Sequence, residues 1–251
     1  MTTIDLNCDM GEREDLAVDA QPALMESITS ANVACGAHAG DEALMRLTLR
    51  QAHAHGVAVG AHPGYPDREN FGRLPMEMPL TALEASITAQ VHELARLAGE
   101  AGLKVRYVKP HGALYNQAAR DEELARTIAR AVSRVSRELA IVGLAGSPAL
   151  AIWKKAGFRT LSEAFADRRY EPDGSLRPRR FADALLRSPA EAAEQALRIA
   201  AQHEVVAWDG SVVSIEAQTL CIHGDSPGAA AMAREVRMRL ESEGIAVHSA
   251  A

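Results

Sequence analysis

The sequence predicts an α/β fold, a single-domain, irregular seven-stranded (β/α) barrel over residues 1–251. Three observations carry that prediction. Strand-like and helix-like segments alternate about seven times, with no linker, charge block or low-complexity run between them. That pattern suits a mainly parallel sheet covered by helices. Nearly every strand-like segment ends in a polar cluster: Asn7 and Asp9, His38 and Asp41, His62, Lys109 and His111, Asp167 and Arg168, His223 and Asp225. An open sheet gathers its ligand groups at one switch point, whereas a barrel collects them from all strands at one face. Finally, 251 residues is a length at which barrels form one domain.

In chain order, residues 3–8 are β-prone and run into a turn at Asp9-Met10-Gly11-Glu12. Residues 22–28 have helical character, with Pro22 in the first turn, where its missing N–H is not needed. A second strand over 30–35 enters Gly36-Ala37-His38-Ala39-Gly40-Asp41, a glycine-bracketed turn carrying one imidazole and one carboxylate. The helix over 43–55 places Leu44, Leu47 and Ala52 near one face and ends at Gly56. A third strand, 57–61, leads into a loop fixed by Pro63, Gly64 and Pro66. The longest predicted helix is 81–101, with Thr81 as N-cap and Glu84 completing a capping box. Strand 104–108 delivers Lys109-Pro110-His111-Gly112. A helix over 121–138 precedes an apolar strand, 139–144, of the buried parallel kind. Pro148 opens a helix ended by Gly157, and 158–166 form a sixth strand. Ser188 caps a helix running to about 202, and 205–215 read as a hairpin around Asp209-Gly210, an I′-turn signal. Strand 218–222 and a helix over 228–243 close the pattern.

Composition narrows the partners. A net charge of −6 and only 4% aromatic residues argue against a nucleic-acid groove or an anionic membrane surface. No run is long and apolar enough for a membrane span, and the N-terminal residues lack the features of a signal peptide. Three cysteines make no disulfide framework, which suits a reducing cytoplasm. Association into a homo-oligomer is compatible with all of this.

His38, His62, His111 and His223 each follow a strand-like run closely, and a barrel would converge them in one pocket. Asp9, Glu12, Asp41 and Asp225 are candidates for acid–base work, for fixing histidine tautomers or for holding a metal. Asp41 and Asp225 could equally cap the helices that follow them. Asn7 is a neutral donor at the end of the first strand. Lys109 lies between an apolar strand and a proline, where burial would lower its pKa or an anion would pair with it. Arg168, with Arg177, Arg179 and Arg180, suits a carboxylate or phosphate. His38 and His62 are the candidate metal ligands, although no HExxH or HxxxH spacing is present. No GxxxxGK[ST] loop is present either, so any nucleotide would need another site.

These clusters carry a resemblance. Asp5-Leu6-Asn7 with Asp9 and Gly11-Glu12, Ala31-Asn32-Val33-Ala34-Cys35-Gly36 with His38-Ala39-Gly40-Asp41, Gly60-Ala61-His62-Pro63-Gly64-Tyr65-Pro66-Asp67, Val108-Lys109-Pro110-His111-Gly112-Ala113-Leu114-Tyr115-Asn116, Phe165-Ala166-Asp167-Arg168 and His223-Gly224-Asp225 together resemble the LamB/YcsF family over nearly the whole chain. The resemblance implies a barrel of the glycoside hydrolase/deacetylase kind. It also implies ATP-dependent opening of 5-oxo-L-proline to L-glutamate, with ATP as co-substrate and with 5-oxoprolinase subunits B and C as partners. In that reading Asp9 or a histidine is the base, and Lys109 and His111 stabilise developing charge. Asn7, His38, His62 and His223 then orient water and ring, while Glu12, Asp41, Arg168 and Asp225 complete the substrate site. The alternatives are a metal-dependent deacetylase-type hydrolase and a non-catalytic substrate-binding subunit.

Overall fold

The computed structural model describes residues 2–13, 15, 20–224 and 228–251. The strands are β1 (Thr3–Met10), β2 (Ser30–Ala34), β3 (Ala58–His62), β4 (Val105–Val108), β5 (Ala140–Leu144), β6 (Thr160–Phe165), β7 (Glu204–Val206), β8 (Val212–Ser214), β9 (Thr219–His223) and β10 (Ala246–Val247). The helices are α1 (Ala20–Met25), α2 (Glu42–His55), α3 (Leu80–Glu100), α4 (Gly112–Ala118), α5 (Glu122–Val135), α6 (Pro148–Lys155), α7 (Pro189–Gln202) and α8 (Ala229–Ser242).

Strands β1 to β6 lie side by side in parallel, and β9 pairs with both β6 and β1, which closes a seven-stranded barrel as the sequence predicts. Closure runs from Asp5 opposite Thr219 to Asp9 opposite His223. The short β10 pairs with Thr3 and Ile4 at the start of β1. The β7–β8 hairpin stands outside the barrel as a two-stranded antiparallel sheet.

The period-two alternation of β1 sorts its side chains: Leu6, Cys8 and Met10 belong to the main apolar core, while Asp5, Asn7 and Asp9 enter a buried polar network. A strand slip of one residue would exchange these sets, so the pattern fixes register as well as facing. Asp5 accepts hydrogen bonds from Thr29, Ser30 and Thr219, which satisfy a carboxylate that burial pushes above its usual pKa. Tyr107 fills the barrel with Ala140, Val142 and Leu161 and donates its hydroxyl to Asn32. It fits because residue 60 is glycine; a Cβ there would lie 2.0 Å from the Tyr107 ring.

Three local expectations need correction. Helix α3 begins at Leu80, with Pro79 rather than Thr81 in the cap position and no side-chain cap bond. Glu84 bonds Arg130 and Arg134 across to α5 instead of completing a capping box. The hairpin joins β7 to β8 through residues 207–211, longer than a two-residue I′ turn, and Asp209 binds Ser211 within it. Helix α4, from Gly112 to Ala118, is additional to the sequence expectation. Among the described residues, no helix is long and apolar enough to cross a membrane.

Candidate active site

A cavity of about 800 Å³ opens at the C-terminal ends of the strands, lined by Asp9, Glu12, His62, Lys109, His111, Arg168 and His223. Leu144, Phe165, Tyr115 and Leu176 supply its apolar wall, and Arg73, Arg120, Arg179 and Arg180 also line it.

Its floor is an ion cluster. Lys109 is 2% exposed, and its Nζ has Glu163 Oε1 at 2.9 Å, Asp9 Oδ1 at 3.0 Å, Cys221 Sγ at 3.0 Å and Asn7 Oδ1 at 3.3 Å. Three ammonium donors thus face four acceptors. The expectation that burial lowers the Lys109 pKa is reversed. Burial does work against the charge, but Asp9 foremost, with Glu163, outweighs it and holds the ammonium well above its usual value. Asp9 feels the same balance from the other side. Burial opposes its ionisation, yet His62 and Lys109 keep the carboxyl well below the ordinary range. Asp9 is therefore a fixed anion paired to a fixed cation, which weakens it as a proton acceptor. Asn32 extends the cluster, donating to both Asn7 Oδ1 and Asp9 Oδ1.

Beside this floor stand three imidazoles and a carboxylate. His62 donates from Nδ1 to the Lys109 carbonyl at 2.7 Å, and its Nε2, which carries the lone pair in the neutral ring, lies 3.4 Å from Asp9 Oδ2. His111 donates from Nε2 to the Phe71 carbonyl at 2.9 Å, so its Nδ1 carries the lone pair. Phe71 holds φ at 56°, a left-handed conformation that is costly for a bulky residue, and its carbonyl meets His111 from there. Glu12 Oε1 lies 3.3 Å from His111 Nδ1, 3.4 Å from His38 Nε2 and 3.9 Å from His62 Nε2. Burial, then neighbouring imidazoles, drive the His38 and His111 pKa values well down.

On the other side, His223 donates from Nδ1 to the Asp167 carboxylate at 3.0 Å, and its backbone N–H binds the same carboxylate at 2.9 Å. That contact assigns the lone pair of neutral His223 to Nε2. Burial raises the Asp167 pKa, but His223's charge and hydrogen bonds outweigh it, leaving the carboxyl below its ordinary value. Gln195 of α7 donates to the Phe165, Ala166 and Arg168 carbonyls and so fixes the backbone that presents Asp167. Arg168 donates to the Ala184 and Arg177 carbonyls, and burial lowers its pKa to about 10.

The predicted site residues thus divide. Asp9, Glu12, His62, Lys109, His111, Arg168 and His223 share the cavity. Three expected roles are corrected. His38 is not in the cavity wall: it stacks behind His111 at 3.8 Å, so it does not meet substrate directly. Asn7 is buried beneath the floor, with both Nδ2 donors on Glu163 and Thr219 and its oxygen accepting from Asn32 and Lys109. Asp41 is the N-cap of α2, accepting from the Leu44 N–H at 2.8 Å. Asp225 lies outside the described residues. Glu163, Asn32 and Cys221 are site residues the strand-end reading missed. All three sit within strands, two or more residues before the polar ends, and period two along β2, β6 and β9 is the signal that would have found them. The cysteines are buried thiols whose pKa values burial pushes up, Cys35 to about 12, which disfavours the nucleophilic thiolate.

Among the described residues, two groups could hold a metal ion, Glu12 with His38, His62 and His111, and Asp9 with Cys221 and His223. In the second, the Lys109 ammonium already binds both Asp9 and Cys221, so a cation is in place.

Comparison with known proteins agrees with this architecture. The chain is 48% identical over 250 residues to the A component of the 5-oxoprolinase of Chloroflexus aggregans, covering 99% of each. The structure of a lactam utilization protein from Thermus thermophilus superposes with a TM-score of 0.91 at 41% identity, covering 98% of this chain and 99% of that one. A polysaccharide deacetylase from Bacillus cereus shares the fold at a TM-score of 0.53 and 11% identity, over 100% of this chain and 93% of that one. The LamB/YcsF family model matches residues 4–251, and the chain belongs to that family.

Proposed function

We propose that this chain is the lactam-binding, hydrolytic A component of an ATP-dependent 5-oxoprolinase, opening 5-oxo-L-proline to L-glutamate with B and C subunits in a reducing cytoplasm. The single observation that carries the reading is the Asp167–His223 pair on the wall of the strand-end cavity. An imidazole held by a buried carboxylate through one nitrogen presents the other as a positioned base. The 5-oxoprolinase and lactam utilization relatives support the choice of a lactam.

A five-membered lactam is a stable amide, and ATP coupling supplies its activation. This chain has no phosphate-binding loop signature, so the partner subunits phosphorylate the lactam oxygen. The arginines lining the cavity suit the resulting phosphoryl group and the substrate's own carboxylate. Water then adds to the ring carbon, giving its proton to His223 Nε2, and Asp167 stabilises the imidazolium. As the C–N bond breaks, that proton passes to the ring nitrogen and the base is regenerated. The acyl phosphate left behind takes up a second water to release glutamate and phosphate. Lys109 has its donors committed within the floor and keeps Asp9 and Glu163 ionised in place rather than binding the ring.

Glutamate formation from 5-oxoproline and ATP tests the assignment. Activity is expected when this chain is mixed with the B and C subunits and not from B and C alone. Equal activity with and without the chain would overturn it.

A further inference from the structure

We propose that Glu12, His38, His62 and His111 form a binding site for one divalent transition-metal ion of the zinc class. The argument starts from two hydrogen bonds. His62 donates to the Lys109 carbonyl and His111 to the Phe71 carbonyl, which in the neutral rings leaves a lone pair on each inward nitrogen, that of His62 3.4 Å from Asp9 Oδ2. Those two lone-pair atoms, His62 Nε2 and His111 Nδ1, lie 2.9 Å apart. Two acceptors at that distance repel unless a cation or a shared proton lies between them.

Four features favour the ion. The donor atoms are all within 4.8 Å of one another. Glu12 Oε1 stands 3.3, 3.4 and 3.9 Å from the His111, His38 and His62 nitrogens. Metal–nitrogen bonds of about 2.0–2.1 Å in a tetrahedron separate donor atoms by about 3.3 Å, so the Glu12 spacings to His111 and His38 suit a single ion once His38 turns out of its parallel stack on His111, because each ring's lone pair lies in its own plane. Both backbone contacts match the usual outer support of a ligating histidine, whose second N–H meets a carbonyl and fixes the ring. His38 adds an independent indication. It is 1% exposed, and neither ring nitrogen has a hydrogen-bond partner among the described residues. Buried polar atoms are rarely left so. Room for that ring depends on residue 64 being glycine, since a Cβ there would sit 2.7 Å from His38 Nδ1. Three imidazoles and one carboxylate form an N/O set suited to zinc and its neighbours rather than to calcium or magnesium.

The ion's use rests on the hydrolytic reading: beside the cavity it would supply Lewis-acid polarisation of a carbonyl or phosphoryl oxygen. Its binding does not depend on that reading. The test is elemental analysis of the untagged full chain, followed by Co²⁺ titration of the stripped protein monitored by absorption. About one equivalent of metal per chain is expected, with affinity falling on the order of 100-fold or more in His62→Ala and in His38→Ala. Circular dichroism checks that each variant is folded, and His223→Gln, outside the cluster, should keep wild-type affinity. Absence of stoichiometric Co²⁺ or Zn²⁺ binding by the wild type would overturn the site, as would undiminished affinity in both folded variants. Nitrogen NMR of the histidines showing a proton shared by His62 and His111, unaffected by added Zn²⁺, would overturn it too. Stoichiometric binding without lactam turnover by the chain reconstituted with its B and C partners would support the site and contradict the functional reading.

Discussion

Lys109 shows how far one residue's surroundings decide its chemistry. Its position after an apolar strand marks it as confined, but the carboxylates that set its charge come from residues 100 and 54 positions away, Asp9 and Glu163. Removing the ammonium would leave two buried anions uncompensated. Lys109→Met is therefore expected to destabilise the fold by about 3–5 kcal/mol, read from urea denaturation midpoints; an unchanged midpoint would show that the cluster is not ionised as described. Asp167 gives a pH signature. Its folded pKa lies below the ordinary carboxyl value of 3.8, so the unfolded chain binds the proton more readily. The stabilisation is complete above that value and is lost as pH falls through the folded pKa. From about pH 4 downward, through its folded pKa, the wild type should lose more stability than Asp167→Asn, measured by denaturant unfolding at each pH. Parallel losses would contradict the Asp167–His223 pairing. The strand-end residues of this site were legible in the sequence because polar groups stand out after apolar runs. Glu163 was not, because an acid inside a strand looks solvent-facing until Phe165 and Asp167 are placed on its side of β6.

At the scale of elements, strand and helix order was legible throughout the barrel, since buried parallel strands and amphipathic helices write different periods. The ends were less so. Thr81 and Glu84 form a sound capping-box pattern, but Glu84 meets Arg130 and Arg134 on α5, and that tertiary pairing overrides the local signal. Helix α4 is too short, at 7 residues, to show a period, and His111 in its N-cap position makes no side-chain cap bond that would announce it. Asp41 is the opposite case, where sequence alone left cap and substrate ligand equally open. Its 2.8 Å contact with the Leu44 N–H decides for the cap. Asp41→Ala should cost about 1 kcal/mol of stability and leave glutamate formation at the wild-type rate. A large loss of activity in a folded variant would return Asp41 to the site.

For the whole molecule, closure of β1 against β9 makes the site, because it brings Asp9 opposite His223 and sets the first strand's polar residues against the last strand's. Convergence of strand ends at one mouth was legible from the repeated apolar-to-polar transitions. The division of labour within that mouth was not. Four histidines look alike in sequence, and their hydrogen bonds separate them: His62 and His111 onto backbone carbonyls, His223 onto Asp167, and His38 onto no partner among the described residues. With Asp9 already paired to Lys109, we assign the role of base to His223 rather than to Asp9. Turnover by the enzyme reconstituted from all three components, with wild type compared to His223→Gln, tests that selection most directly. The account predicts a fall in kcat of about 10²–10⁴-fold in a folded variant that still supports complex assembly. Wild-type turnover in His223→Gln would contradict it.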